Sequence, residues 1–296
     1  MKQTLLPSDD STDRRNRFVE KLQRILDTEW PDFGVKAYIF GSTVSNLATS
    51  YSDVDICLMT TWTGLRDVYT LAAGLTKHGL HQVSIVPQAK VPIVKLWDPE
   101  LSLAVDVNVN NPIALQNTRM VKTYVGIDPR VRPLMLIVKR WTKQRELNDA
   151  AAGGTLSTYT WVNMLIQFLQ LRDPPILPVL QQLGRPKDDR ALHSAYFYDD
   201  LPALQGWGQA NQESLGRLLY AFFHFYTHTY TYAKDVVSVR MGRFLTRKEK
   251  GWDEGRHARI LCIEEPFTEW RNLGNSADDT SVHGILEELR RAQRIL

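Results

Sequence analysis

Residues 40–59 read FGSTVSNLATSYSDVDICLM. Two aspartates, Asp53 and Asp55, stand one residue apart at the head of an otherwise apolar run. In an extended strand, positions i and i+2 point to the same face, so these carboxylates lie side by side. Like charges that close repel, and one holds a proton unless a cation sits between them. Upstream, Lys36 to Phe40 is short, apolar and aromatic, a strand that Gly41 and Ser42 end. Residues 42–48 have the pattern of a short helix. Backbone N–H groups at its start suit a phosphate, with glycine allowing close approach and Ser42 adding a hydroxyl donor.

A third carboxylate follows from the segment LSLAVDVNV, residues 101–109. Strict alternation puts Leu101, Leu103, Val105, Val107 and Val109 on one face and Ser102, Ala104, Asp106 and Asn108 on the other. One face is core, and the other presents Asp106. Together with Asp53 and Asp55 it makes an all-oxygen donor set suited to Mg²⁺ or Mn²⁺.

The rest of the chain sets bounds. At 296 residues it exceeds the usual single-domain size, so two domains are expected. The net charge of +3 leans toward an anionic partner without establishing one, since many enzymes acting on neutral substrates have a similar charge. Cys57 and Cys262 both lie in apolar runs and read as core thiols of a reduced compartment. No stretch approaches the ~18 uninterrupted apolar residues of a membrane span, and the N-terminus is too polar for a secretory signal. The final RRAQRIL stops in mid-helix by pattern, as expected of a core cut from something longer.

Residues 11–30 carry Phe18, Leu22, Ile25 and Leu26 at helical spacing. Residues 36–40, 53–59, 83–86, 91–96 and 101–109 read as strands. From Asn110 the period changes, and 112–125, 133–144, 157–171 and 214–226 read as helices, with 172–200 a Pro- and Asp-rich connection. The expected class is α+β: a strand-rich domain at 32–121, and a helical domain made of 1–31 and 122–296. Lys139 and Lys143 lie four apart on one helix face, a stripe that suits either a polyphosphate or solvent.

These residues resemble a known group. GS followed by DVD, with a third Asp on a later strand, is similar to the nucleotidyltransferase superfamily of DNA polymerase beta. VDVNVNNPIALQNTRMVKTY, RPLMLIVKRWTKQ, GTLSTYTW, NQESLGRLLYAFFHFY and CIEEPF more narrowly resemble the template-independent terminal ribonucleotidyltransferases, which include poly(A) and poly(U) polymerases. The resemblance runs from Val19 to Leu296. It implies a mixed-sheet catalytic domain, a helical domain, and an active site in the cleft between them. Asp53 and Asp55 would hold two Mg²⁺ (or Mn²⁺) ions bridging an NTP and an RNA 3′ end, with Asp106 joining the metal that activates the 3′-hydroxyl. Lys139, Lys143 and Thr158 would contact the triphosphate and Tyr159 would stack on the base. Asn117 would contact the ribose hydroxyls, with Thr118 in the same region.

The segment CIEEPFTEWRNLG is similar to the group's nucleotide-recognition loop. Uridylyl-adding members carry a histidine where this chain has Arg271. An arginine offers only donors, which meet cytosine O2 and N3 but oppose the N3–H of uracil. Glu265 in the same loop is a candidate acceptor for the cytosine amine. An unpaired buried donor costs about 1–3 kcal/mol, a discrimination of roughly ten- to hundredfold. The pattern resembles the fungal CutA-type enzymes, which add C-containing tails to RNA. The expected protein is therefore a monomeric, cytoplasmic, CTP-preferring RNA 3′-nucleotidyltransferase, with a poly(A) or poly(U) polymerase or an inactive RNA-binding scaffold as alternatives. Arg240, Arg243 and the cluster Arg247–Lys250 are candidate RNA backbone contacts, equally readable as solvated loop charges. His224 and His228 sit in an aromatic setting that favours a structural role.

Overall fold

The computed structural model describes residues 9–50, 52–89, 91–150, 154–184 and 196–296. The chain divides into two compact units, Met1–Lys122 and Thr123–Leu296.

The first unit is built on a five-stranded mixed sheet. Its strands are β1 (Lys36–Phe40), β2 (Val54–Met59), β3 (His81–Val86), β4 (Ile93–Asp98) and β5 (Leu103–Val109), in spatial order β1-β2-β5-β4-β3. β2 and β5 run parallel, and every other neighbouring pair is antiparallel. A parallel pair needs a crossover. Here the connection from β2 to β5 runs through helix α2 (Val68–Lys77) and then β3 and β4, and Asp67 caps α2 by accepting from the N–H groups of Tyr69 and Thr70. Val54, Ile56 and Leu58 of β2, Val94 and Leu96 of β4, and Val105 and Val107 of β5 form one buried face. The alternate residues Asp55, Lys95 and Asp106 share the opposite, half-buried face.

Helix α1 (Asp9–Glu29) belongs to this unit. The expectation that 1–31 packs with the helical domain is corrected here. Phe18, Leu22, Ile25 and Leu26 join the buried face of the sheet in one core with Leu71 and Leu75 of α2. The apolar side of a mixed sheet must be covered, and α1 and α2 cover it. Polar ties fix the helix: Lys21 pairs with buried Asp98 at 2.9 Å, and Arg14 donates to the Leu101 carbonyl at 2.9 Å.

A second correction concerns residues 42–48. The chain makes successive turns over 41–46 rather than a helix. Gly41 (φ +67°) and Asn46 (φ +61°) are both left-handed and bracket the segment, so helical backbone cannot run through either end.

Helix α3 (Pro112–Ile127) contains the division between the units. The second unit holds α4 (Val131–Gln144), α5 (Thr158–Gln170), α6 (Leu215–His224) and α7 (Asp279–Ile295), with two short strand pairs, the first of them β6 (Asp235–Val236) and β7 (Leu245–Thr246). Every residue of α5 from Thr160 to Gln170 is buried. Trp141 of α4 packs edge-on against Trp161 of α5 and Phe223 of α6, and α7 packs on α6. The second pair, β8 (Glu264–Glu265) and β9 (Thr268–Asn272), carries the expected recognition loop. Of the connection expected at 172–200, residues 185–195 lie outside the described residues. Among the described residues no helix is long and apolar enough to cross a membrane. Cys57 and Cys262 are both free and buried.

Candidate functional site

In the first unit, strand register builds the site. Phe40 pairs with Asp55, Asp55 with Asp106, and Asp106 with Lys95. Directly paired residues share a face, so Asp55, Asp106 and Lys95 form one rung across β2, β5 and β4. Asp53, just before β2, is exposed, and Asp55 and Asp106 are half-buried. Gly41 lies against Asp55: a Cβ there would come within 2.2 Å of the carboxylate Oδ2. Only glycine leaves space for that carboxylate, and only glycine readily takes the local φ.

Two residues of α3 meet the same turn. The hydroxyl of Thr118 accepts from the Gly41 N–H at 2.8 Å and donates to the Ala114 carbonyl at 2.8 Å. Thr118, expected near the nucleotide, thus stands as a brace between α3 and the glycine turn. Beside it, Asn117 holds a buried Oδ1 with no hydrogen-bond partner among the described residues. A buried acceptor left open at this point suits a hydroxyl donor such as a ribose. Thr118→Val should leave the Gly41 N–H unpaired and cost about 1–2 kcal/mol. Urea unfolding and NTP saturation kinetics check this, with a raised KM for NTP expected because the turn loosens.

Sequence reasoning missed Arg15. This buried arginine on α1 donates to the carbonyls of Thr49 at 2.9 Å and Ser52 at 3.0 Å, and to Ser11 Oγ at 2.6 Å. It therefore fixes the loop that delivers Asp53. The Thr49 and Ser52 carbonyls lie more than thirty residues away in sequence, and no local pattern links them to it.

The donor set fits a hard divalent cation: Asp53, Asp55 and Asp106 offer carboxylate oxygens only. As the side chains stand, no three metal-ligating groups converge to hold an ion among the described residues. Asp106 is instead engaged by Lys95, Nζ to Oδ2 at 2.6 Å. A cation shared by Asp55 and Asp106 would compete with this lysine for the carboxylate.

In the second unit, two groups of expected residues come together. Lys139 of α4 and Thr158, at the start of α5, line one small crevice with Val138, Trp161 and Val162. Lys143, one turn further on α4, is exposed. Ser157 caps α5 by accepting from the Thr160 N–H, so Thr158 sits in the first turn of a 13-residue helix, where an anion is favoured. Tyr159 donates its hydroxyl to Glu265 Oε1 at 3.2 Å. Burial and the adjacent Glu265 carboxylate raise the Tyr159 pKa well above the ordinary tyrosine value, so the phenol stays a donor. Arg271, half-buried on β9, is close enough for its charge to oppose that rise.

Glu265 is fully buried, and its other oxygen accepts from the Phe267 N–H at 3.0 Å. Both oxygens are therefore engaged in positioning Tyr159 and the turn. Buried Glu264 anchors the same hairpin through Arg240, Lys250 and Ser238, at 2.9, 2.7 and 2.5 Å. Burial opposes its ionisation, yet those three hydrogen bonds hold its carboxyl below the usual range. Asn272 closes the strand after Arg271, accepting from the N–H groups of Ile263 and Gly274.

Several residues named as candidate RNA contacts are engaged within the fold. Arg240 and Lys250 are committed to Glu264, and Arg243 pairs with Glu249 at 2.9 Å. Arg247 is buried and donates to the carbonyls of Tyr232, His257 and Ile260. Glu264 and the carbonyls of Tyr232, His257 and Ile260, which engage Arg240, Lys250 and Arg247, come from outside the cluster, so local sequence does not reveal them. His224 and His228 stack on each other, ring centroids 4.5 Å apart.

Residues 1–126 match the family described as poly(A) RNA polymerase, mitochondrial-like, central palm domain, and residues 214–270 match the Cid1 family poly A polymerase. Two proteins of Schizosaccharomyces pombe are similar over 99% of this chain: poly(A) RNA polymerase cid11, at 45% identity, and poly(A) RNA polymerase cid13, at 44%. The chain spans 60% of the first and 51% of the second. A crystal structure of the Cid1 poly(U) polymerase with MgGTP bound superposes with a TM-score of 0.83 at 30% identity, covering 98% of this chain and 90% of that one.

Proposed function

We propose, for a chain that belongs to the Cid1 family of poly(A) and poly(U) polymerases, that it adds ribonucleotides from an NTP to an RNA 3′ end without a template, preferring CTP. The observation that carries the reading is the paired carboxylate rung of Asp55 and Asp106 beneath the glycine turn, with Asp53 beside it.

Asp53, Asp55 and Asp106 would hold Mg²⁺ or Mn²⁺. Ions held there would supply positive charge that offsets charge developing on the oxygens of an in-line displacement at phosphorus. The protein's own part is positioning and charge stabilisation. Gly41 and Ser42 present the turn to a phosphate, Thr118 fixes that turn, and Asn117 offers its open acceptor to the ribose. Lys139, Lys143 and Thr158 supply positive charge and a hydroxyl for the triphosphate. Tyr159, its phenol held by Glu265, presents a ring for the base.

Arg271 supports the choice of cytosine, by the donor argument given above. Glu265 also orients Tyr159 and keeps acceptor capacity on both oxygens for the cytosine amine. A second reading, poly(A) synthesis, has its own support: the two S. pombe proteins at 45% and 44% identity are both named poly(A) RNA polymerases. Extension of a short RNA with each NTP in turn, with the tails sequenced, separates the two. CTP is expected to give the highest initial rate. Arg271→His should shift the CTP:UTP preference toward UTP by about tenfold or more. Fastest extension with ATP would favour poly(A) synthesis, and an unchanged CTP:UTP ratio in the variant would remove Arg271 from the argument. No extension with any NTP would favour an inactive scaffold.

A further inference from the structure

The rung that carries Asp55 and Asp106 ends in a cation. Lys95 pairs with Asp106 in register, and its ammonium lies 2.6 Å from Asp106 Oδ2. Its neighbours Val94 and Leu96 are buried on the core side, so Lys95 faces the carboxylates. Without a bound cation, Asp55 and Asp106 oppose each other as like charges on adjacent strands. Lys95 offsets that repulsion and holds Asp106.

The same contact competes with a divalent cation on Asp106. An ammonium in contact with a ligand oxygen would sit within a few ångströms of the ion and be repelled by it. Lys95 is free to move: its side chain is 41% exposed on a flexible four-carbon stem. Its location says what it would meet. The strand order β1-β2-β5-β4 puts the glycine turn at one end of the rung, over Asp55, and Lys95 at the other, beyond Asp106. Strand spacing places the Lys95 backbone about 10 Å from that of Asp55. If the turn receives the NTP phosphates, the Lys95 end receives the other reactant, the RNA 3′ end, which arrives as a phosphodiester anion.

We infer that Lys95 is an exchange residue: it holds Asp106 in the resting protein and passes to a phosphate of the RNA 3′-terminal nucleotide when Asp106 turns to a cation. The inference rests on the metal-binding reading of Asp55 and Asp106.

The test uses the full chain with Mn²⁺ alone, titrated by electron paramagnetic resonance, and then steady-state kinetics with a short single-stranded RNA. Far-UV circular dichroism confirms that each variant is folded. A half-exposed ion pair contributes a factor of about two to five, so Lys95→Met should bind Mn²⁺ tighter by that factor. Its KM for RNA should rise about tenfold through loss of a charge-assisted contact, while KM for NTP stays within about twofold. Lys95→Arg should restore the RNA KM, which a merely structural role would not require. Mn²⁺ binding no tighter in Lys95→Met, or an unchanged RNA KM, overturns the inference. Asp106→Asn separates the two levels. If it binds Mn²⁺ as the wild type does, the metal-binding reading fails; if it loses binding while Lys95→Met gains none, only the exchange role fails.

Discussion

Asp106→Asn is expected to lower the rate of nucleotide addition by at least about 10³-fold while the protein stays folded. Removing a single preorganised hydrogen-bond donor costs about 10²–10³-fold in comparable chemistry, and a charged ligand to a reaction-centre metal contributes more. Folding should barely notice. The variant loses a half-exposed pair with Lys95, worth at most about 1 kcal/mol, and is relieved of the opposing charge on Asp55. A second signature follows from mass action, since a ligand that binds only the folded state stabilises it. Mg²⁺ should raise the thermal midpoint of the wild type and raise that of Asp106→Asn less. Single-turnover RNA extension and thermal unfolding with and without Mg²⁺ measure both. An Asp106→Asn rate within tenfold of wild type would contradict the assignment.

Gly41→Ala should be nearly as damaging, for steric reasons. A Cβ at Gly41 would stand 2.2 Å from Asp55 Oδ2, and φ there is +67°. Either the carboxylate moves or the turn does. Displacement of a reacting group by about 1 Å costs on the order of 10²-fold in rate. The backbone strain adds about 1–3 kcal/mol of destabilisation. Gly34→Ala is the control, because Gly34 is also left-handed, at φ +55°, but has nothing within 4 Å of a Cβ. It should lose a comparable amount of backbone stability and keep its activity. Equal loss of activity in both would mean that the contact with Asp55 is not the reason glycine stands at position 41.

The parts of the fold legible in sequence are those where one face is apolar and the other is not. The alternation of residues 101–109 placed Asp106 on the polar face, and the structure pairs it with Asp55. What sequence could not supply is the partner of each surface. The stripe Phe18, Leu22, Ile25 and Leu26 says that α1 is covered but not by what, and the answer is the sheet. Residues 42–48 have helical composition, yet Gly41 and Asn46 both adopt left-handed backbone and turn the chain instead. Helix α2 went unpredicted because Val68, Thr70, Gly74 and Thr76 are weak helix formers. Its signal was Asp67, whose carboxylate caps it.

The same limit governs the site. Asp53, Asp55 and Gly41 are close in sequence and could be read together. Lys95 could not, since in the run IVKLW it is one polar residue on a strand, and only the register shows that it faces Asp106. Glu265 reads in sequence as a contact for the base, and only the fold shows that its two oxygens also accept from the Tyr159 hydroxyl and the Phe267 N–H. Arg240, Arg247 and Lys250 looked like a surface for RNA, and their charges are spent within the fold.

The most direct test of the two-cation carboxylate site is anomalous diffraction from crystals grown with Mn²⁺ and a non-hydrolysable CTP analogue. Manganese peaks are expected within about 2.0–2.3 Å of carboxylate oxygens of Asp53 and Asp55, with Asp106 turned from Lys95 to one of them. Crystals that hold the nucleotide but show no manganese at these aspartates, and Asp106 still on Lys95, would contradict the account.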